Sequence, residues 1–136
     1  MSKKHTFKTK FIPGLTNRPE FGSMFGGFLT EFAGQKILVD CGTVSGAANL
    51  VANLRSELQG QDLDLVLLTH AHLDHSGGLG AIFQAWPKTR AVVHAKAIGH
   101  LIEPEKLWLG TKKVMGELAT MYGQPQPLDP QRLIPH

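Results

Sequence analysis

Leu67-Leu68-Thr69-His70-Ala71-His72-Leu73-Asp74-His75-Ser76-Gly77-Gly78 is the stretch on which the reading of this chain turns. Three imidazoles and a carboxylate fall within six positions, behind an apolar run and ahead of two glycines. Imidazole nitrogen and carboxylate oxygen together suit zinc, and also iron or manganese. Residues two apart do not share a helical face, but they do share a face of extended chain. His70 and His72 therefore reach one ion only from an extended or looped segment. Asp74 and His75 are adjacent, so a turn must aim both at one point. Gly77 and Gly78 are expected to supply the conformational freedom for it. A single histidine is ordinarily a packing or surface residue. Four ligand-type residues in the pattern H-x-H-x-D-H after a strand point to a metal site instead.

The segments around the bend place it in a layered fold. Leu63 to Thr69 is apolar throughout, as a strand covered on both faces would be. The bend then sits at the C-terminal end of a central strand, where ligand sites of layered α/β folds lie. Upstream, Ile37-Leu38-Val39-Asp40 is a short buried strand, joined to an aromatic-rich strand at Ser23 to Phe32 through Ala33-Gly34-Gln35-Lys36. Gly26-Gly27 marks a bulge or a close backbone approach in that strand. Thr6 to Ile12, ending at Pro13-Gly14, is the first strand. Ala47, Leu50, Val51, Leu54 and Leu58 recur at helical spacing, with Ser45 as a candidate cap and Gly60 as the stop.

Downstream, Leu79, Ile82, Phe83 and Trp86 mark a short helix ended by Pro87. Ala91-Val92-Val93-His94 is another strand. Pro104 opens a longer helix with an apolar stripe of Leu107, Trp108, Val114, Met115, Leu118 and Met121, which is read as core. Gly110 and Gly116 either allow close packing there or break the helix. Gly123 to His136 carries four prolines and reads as an extended tail. His94 and His100 are isolated and are assigned packing or surface roles.

The H-x-H-x-D-H run, with the strands before it, resembles the metallo-β-lactamase superfamily from about Phe7 onward. The resemblance implies an α/β fold, here the N-terminal half of a four-layer αββα sandwich with a mixed sheet and flanking helices. It implies that His70 and His72 serve one metal ion, and Asp74 and His75 a second. Zinc is the expected cofactor, two ions per complete domain, with iron or manganese as alternatives. Asp74 is the expected catalytic residue. Asp40, at the end of its strand, is expected to brace the ligand loop without binding metal; a carboxylate there can accept imidazole N–H or loop amide bonds. His72 at the second position favours hydrolase-like members over iron electron-transfer members, which often carry a carboxylate there. The family completes both coordination spheres with residues further downstream, and this chain is expected to stop short of them.

Composition bounds the rest. A chain of 136 residues, 42% apolar, is one domain at most with enough substance for a core. No apolar run approaches the ~18–20 residues of a membrane-spanning helix. The basic N-terminus lacks the apolar stretch of a secretory signal, so the cytoplasm is the expected compartment. Cys41 is the only cysteine, which excludes an intrachain disulfide. It reads as a small buried residue, a metal-binding thiolate being the sharper alternative. The net charge is +3, with Lys3, Lys4, Lys8 and Lys10 contributing and no acid among them. A solvated arm is preferred to a nucleic-acid contact, since no aromatic interleaving accompanies it.

The expected organisation is a basic arm at residues 1–5, a partial metallo-β-lactamase-like domain at 6–123, and a Pro-rich tail at 124–136 that marks the expected truncation point. The expected function is metal-dependent hydrolysis of an ester, thioester, lactam or phosphodiester, with a small molecule as substrate. The alternative is a non-catalytic metal-binding half-domain that needs a partner. One sheet face would be left apolar, which implies a missing C-terminal half or a dimer partner. A nucleic-acid-processing member of the same fold is a third reading.

Overall fold

Ala33 and Gly34 both take positive φ, 51° and 81°, the requirement of a two-residue hairpin turn. This turn joins β2 (Gly26–Phe32) to β3 (Gln35–Val39). In the computed structural model, which describes residues 8–16 and 18–136, β1 (Thr9–Pro13) pairs antiparallel with β2 on its other side. The basic arm read at residues 1–5, and Thr6 and Phe7 of the expected first strand, lie outside the described residues. After β3 come α1 (Ala47–Leu58), β4 (Leu65–Leu67), a single helical turn α2 (Leu73–Ser76), α3 (Leu79–Ala85) and β5 (Arg90–Val93). Then follow α4 (Ile98–Ile102), α5 (Glu105–Met115), α6 (Ala119–Tyr122) and β6 (Leu133–Pro135).

The six strands lie side by side in chain order. The first two junctions are antiparallel and the last three parallel. Each parallel junction needs a crossover, supplied by α1, by α2 with α3, and by the segment holding α4 to α6. The helical stripe read from sequence is the buried face of α1: Ala47, Leu50, Leu54 and Leu58. With Leu79, Ile82 and Phe83 of α3 it covers one face of the sheet, packing on Ile12, Leu38, Val66, Ala91, Val93 and Leu133. The opposite face carries one apolar row across all six strands, Phe11, Phe28, Val39, Leu67, Val92 and Ile134 in register. Nothing among the described residues buries that row fully, and Phe28 is half exposed.

Several local expectations give way. Ser45 does not cap α1: the Thr43 hydroxyl accepts from Gly46 N–H at 3.0 Å, and the Ser45 hydroxyl donates to the Met121 carbonyl. The left-handed stop of α1 is Gln59, followed by Gly60, with φ 48° and 87°. The long helix breaks at Gly116, where φ is 60°. Its apolar stripe is not core: α5 has no buried residue, and Val114 is 82% exposed. Of the stripe only Met121, beyond the break, is buried.

The Pro-rich end is no free tail. Asp129 caps a 3-10 turn at Pro130–Arg132, and β6 pairs with β5. Arg132 donates to the carbonyls of Thr89, Phe83 and Trp86 at 2.8, 3.2 and 2.8 Å. Its guanidinium lies 4.2 Å from the Phe83 ring centre. It thus satisfies the Phe83 carbonyl in the last turn of α3 and adds a second donor at the Trp86 carbonyl, which also accepts from Thr89 N–H. β6 is an edge strand, and Pro135 is tolerated there because an edge needs no donor on its outer side.

Candidate metal centre

The ligand bend hangs from the end of β4 and is held by the segment that follows β3. Asp40 N–H donates to the Leu67 carbonyl at 2.9 Å, Cys41 N–H to that of His75 at 2.7 Å, and Gly77 N–H to that of Gly42 at 2.8 Å. Two backbone segments are therefore laced together directly under the histidines. This contact, not torsional freedom, explains the glycine pair. Gly77 and Gly78 have ordinary right-handed φ of −62° and −79°. A Cβ on Gly77 would stand 2.3 Å from Val44 N, and one on Gly78 2.3 Å from the Cys41 carbonyl oxygen. The expectation that they loosen the turn is corrected: they let two chains touch.

Asp40 is the node. Its φ of 60° is an uncommon conformation for a residue other than glycine, one that aspartate tolerates better than most. The carboxylate accepts from Thr69 N–H at 2.9 Å, from the Thr69 hydroxyl at 2.8 Å and from His75 Nδ1 at 2.9 Å. Thr69 Oγ1 also lies 2.9 Å from His70 Nδ1. Since the hydroxyl proton is given to Asp40, His70 Nδ1–H must be the donor in that bond. In neutral imidazoles this network places the proton of both rings on Nδ1, the tautomer whose Nε2 can ligate. Thr69 had no role in the reading of the sequence. A hydroxyl directly ahead of the first histidine, at a strand end, was the available signal.

His70, Asp74 and His75 bring ligand atoms within 4.8 Å of one another. That spread suits convergence on one ion with bonds of ~2.0–2.2 Å after small side-chain rotations. Two imidazole nitrogens and a carboxylate oxygen are a fitting donor set for zinc, iron or manganese. His72 stands outside the group. Its carbonyl accepts from Ser76 N–H and from the Ser76 hydroxyl, which pins the backbone as α2 begins. Its ring packs edge-on against His70 at 4.7 Å between centres. The structure therefore gathers one member of the expected first pair with both members of the second.

Cys41 is fully buried and donates from its thiol to the His75 carbonyl at 3.2 Å. Burial, with the Asp40 charge adding to it, pushes its pKa well above the usual thiol range, so it stays a protonated packing residue. Tyr122 lies edge-on to Phe25 at 5.7 Å between ring centres. Its phenol pKa is raised, first by burial and then by the Asp74 charge. His94 is away from the group and accepts from Lys96 N–H at 3.1 Å. His100 borders the same cavity as His72 and Asp74.

Residues 28–134 match the family description Metallo-beta-lactamase superfamily. The chain belongs to this superfamily. Among solved structures, a metallo-beta-lactamase superfamily protein from the archaeon Sulfolobus tokodaii superposes with a TM-score of 0.79 at 25% identity, covering 94% of this chain and 48% of that one. The subclass B3 metallo-beta-lactamase MEM-A1, from a soil metagenome library, superposes with a TM-score of 0.59 at 19% identity and shares the fold, covering 94% of this chain and 42% of that one. Among curated relatives, Ribonuclease Z of Bradyrhizobium diazoefficiens is 47% identical over 55 residues, which is 40% of this chain and 17% of that protein. Anaerobic nitric oxide reductase flavorubredoxin of Salmonella paratyphi B is 32% identical over 88 residues, 62% of this chain and 18% of that protein. The chain thus spans less than a fifth of these two curated relatives and about half of the superposed structures. Its architecture is one αβ half of the superfamily sandwich. The superfamily includes metal-dependent hydrolases, and no helix among the described residues is long and apolar enough to cross a membrane.

Proposed function

We propose that this chain provides the primary metal-ligating half of a hydrolase acting on an ester, thioester, lactam or phosphodiester bond. The observation that carries the reading is the convergence of His70, Asp74 and His75 with both Nδ1 atoms engaged below them. Zinc, two ions in a complete domain, would supply a nucleophile at neutral pH and polarise the scissile oxygen. His70 and His75 would bind through Nε2, and His72 would join once its ring turns away from His70. Asp40 and Thr69 would hold the rings in one tautomer and orientation. Asp74, as ligand and catalytic residue, would orient the attacking water, accept its proton and deliver it to the leaving group as the bond to carbon or phosphorus breaks.

His72 supports hydrolysis over electron transfer, because iron electron-transfer members of the superfamily often hold a carboxylate there. The apolar row on the open sheet face supports a second layer over it, from a further segment or another copy. A cytoplasmic location belongs to this reading, and the single cysteine accords with it. The likeness to Ribonuclease Z keeps phosphodiesters among the substrates.

The test is turnover of simple ester, thioester, lactam and phosphodiester compounds by zinc-loaded protein. His70→Ala and His75→Ala are each expected to abolish it with the fold intact by circular dichroism. Turnover that survives both substitutions overturns the reading. A second reading, a metal-binding module without catalysis, draws on the one gathered group of three donors among the described residues. Turnover separates the two: bound zinc with hydrolysis of any of these compounds favours the hydrolase, and bound zinc with no turnover favours the module.

A further inference from the structure

α5 presents an apolar helical face that the fold does not bury, and that face looks onto the ligand bend. Leu107, Gly110, Thr111 and Val114 are spaced i, i+3, i+4 and i+7, so they form one side of the helix. All four line a cavity of about 560 Å³ whose other wall includes His72 and Asp74. This volume is in the range of pockets that enclose a small organic ligand. The cavity is thus amphiphilic: His72, Asp74, His100 and Lys106 give it a polar lining, and Leu73, Leu107, Val114 and Met115 an aliphatic one.

Gly110 sharpens the point. It sits in the middle of an 11-residue helix, where glycine is the poorest helix former after proline. No packing neighbour demands it, because a Cβ built there meets nothing within 4 Å. What the absent side chain leaves is room in the cavity. Gly99 in α4 is the natural counterpart: a Cβ there also meets nothing within 4 Å, but Gly99 does not line this cavity.

We propose that this cavity seats the hydrophobic acyl group of the substrate, making the preferred substrates esters or thioesters of medium-length aliphatic acids, and that Gly110 sets how far the chain reaches. The substrate class rests on the hydrolase reading above; the binding site does not. Burial of each added methylene in such a cavity strengthens binding by about two- to fourfold until the space is filled.

The experiment titrates straight-chain carboxylates, acetate through decanoate, into zinc-loaded protein by calorimetry, and measures kcat/KM for the matching thioester series. Affinity is expected to climb by about two- to fourfold per methylene and then level off. Gly110→Leu is expected to weaken decanoate binding at least about tenfold and leave acetate unchanged, while Gly99→Leu alters neither. Should Gly110→Leu fail to fold, Gly110→Ala is expected to lower the length at which binding levels off. A flat length profile, or equal behaviour of the two leucine variants, overturns the proposal. So does a change of assembly mass in Gly110→Leu by light scattering, with no change in the length profile, since the face would then seat another chain. Length-dependent binding without turnover keeps the cavity and removes the hydrolase. Turnover lost in His70→Ala but blind to chain length does the reverse.

Discussion

α1 and α5 are nearly equal in length and both carry an apolar stripe at helical spacing, yet one is welded into the core and the other is bare. α1 buries Ala47, Leu50, Leu54 and Leu58. α5 buries nothing. Periodicity therefore reports which side of a helix is apolar, and does not report what that side meets. The stripe of α1 meets the sheet. The stripe of α5 lies beyond the C-terminal ends of the parallel strands, beside the ligand bend, where a layered fold keeps its site.

The widest separation between the two helices should come from stability. Leu54 is fully buried, and Leu54→Ala is expected to cost ~2–5 kcal/mol through lost contacts and a residual cavity. Val114→Ala on α5 should stay within ~0.5 kcal/mol, as exposed positions do. Urea unfolding of the two variants checks this. A loss above ~1 kcal/mol from Val114→Ala would mean that α5 is packed against something in solution.

Glycines provide the next contrast. Gly77→Ala drives a Cβ into the backbone of Val44 and is expected to cost ~1–3 kcal/mol, as overpacking does. Gly110→Ala meets no neighbour and should stabilise by up to ~1 kcal/mol through helix propensity alone. Thermal midpoints moving in opposite directions would confirm that the first glycine serves the scaffold and the second serves empty space. A shared downward shift would remove the distinction on which the acyl cavity depends.

What was legible in the sequence follows the same division. The α1 stripe, the β2–β3 hairpin and the ligand bend were readable because each is a local pattern: a 3.6-residue period, a glycine-bearing connection between two apolar runs, a density of donors. The connection was read two residues too long, since Gln35 and Lys36 already belong to β3. Gly77 and Gly78 were seen, but their reason was not, because it lies in Val44 and Cys41, more than thirty positions upstream. Arg132 gave no signal at all. Its three acceptors are carbonyls of Phe83, Trp86 and Thr89, and backbone carbonyls leave no mark on a sequence. β6 was hidden by Pro135 and by Pro130 just before it, which argue against a central strand and are silent about an edge one. The separation of His72 from the other donors was equally illegible, since spacing fixes which residues can reach one point and not which rotamer they adopt.

Asp40 tests the boundary between the two regions, because its side chain is mostly covered, while the His75 side chain it holds is 35% exposed. Asparagine tolerates positive φ about as well as aspartate, so Asp40→Asn should keep the backbone conformation and cost at most ~1 kcal/mol of stability. Its amide can still accept from Thr69 N–H, but the NH2 group then faces Thr69 Oγ1 and His75 Nδ1. A donor facing Nδ1 forces that nitrogen to accept, which moves the imidazole proton to Nε2. The ring is then held in the tautomer that cannot ligate through Nε2. Zinc affinity, measured by competition with a chelator, is expected to fall ~10–100-fold, the usual cost of losing a partner behind a metal-binding histidine. An unfolded Asp40→Asn would assign Asp40 to the scaffold alone. Unchanged zinc affinity in a folded variant would mean that His75 binds without help from below, and the proton assignment that unites Asp40, Thr69 and the two rings would fail.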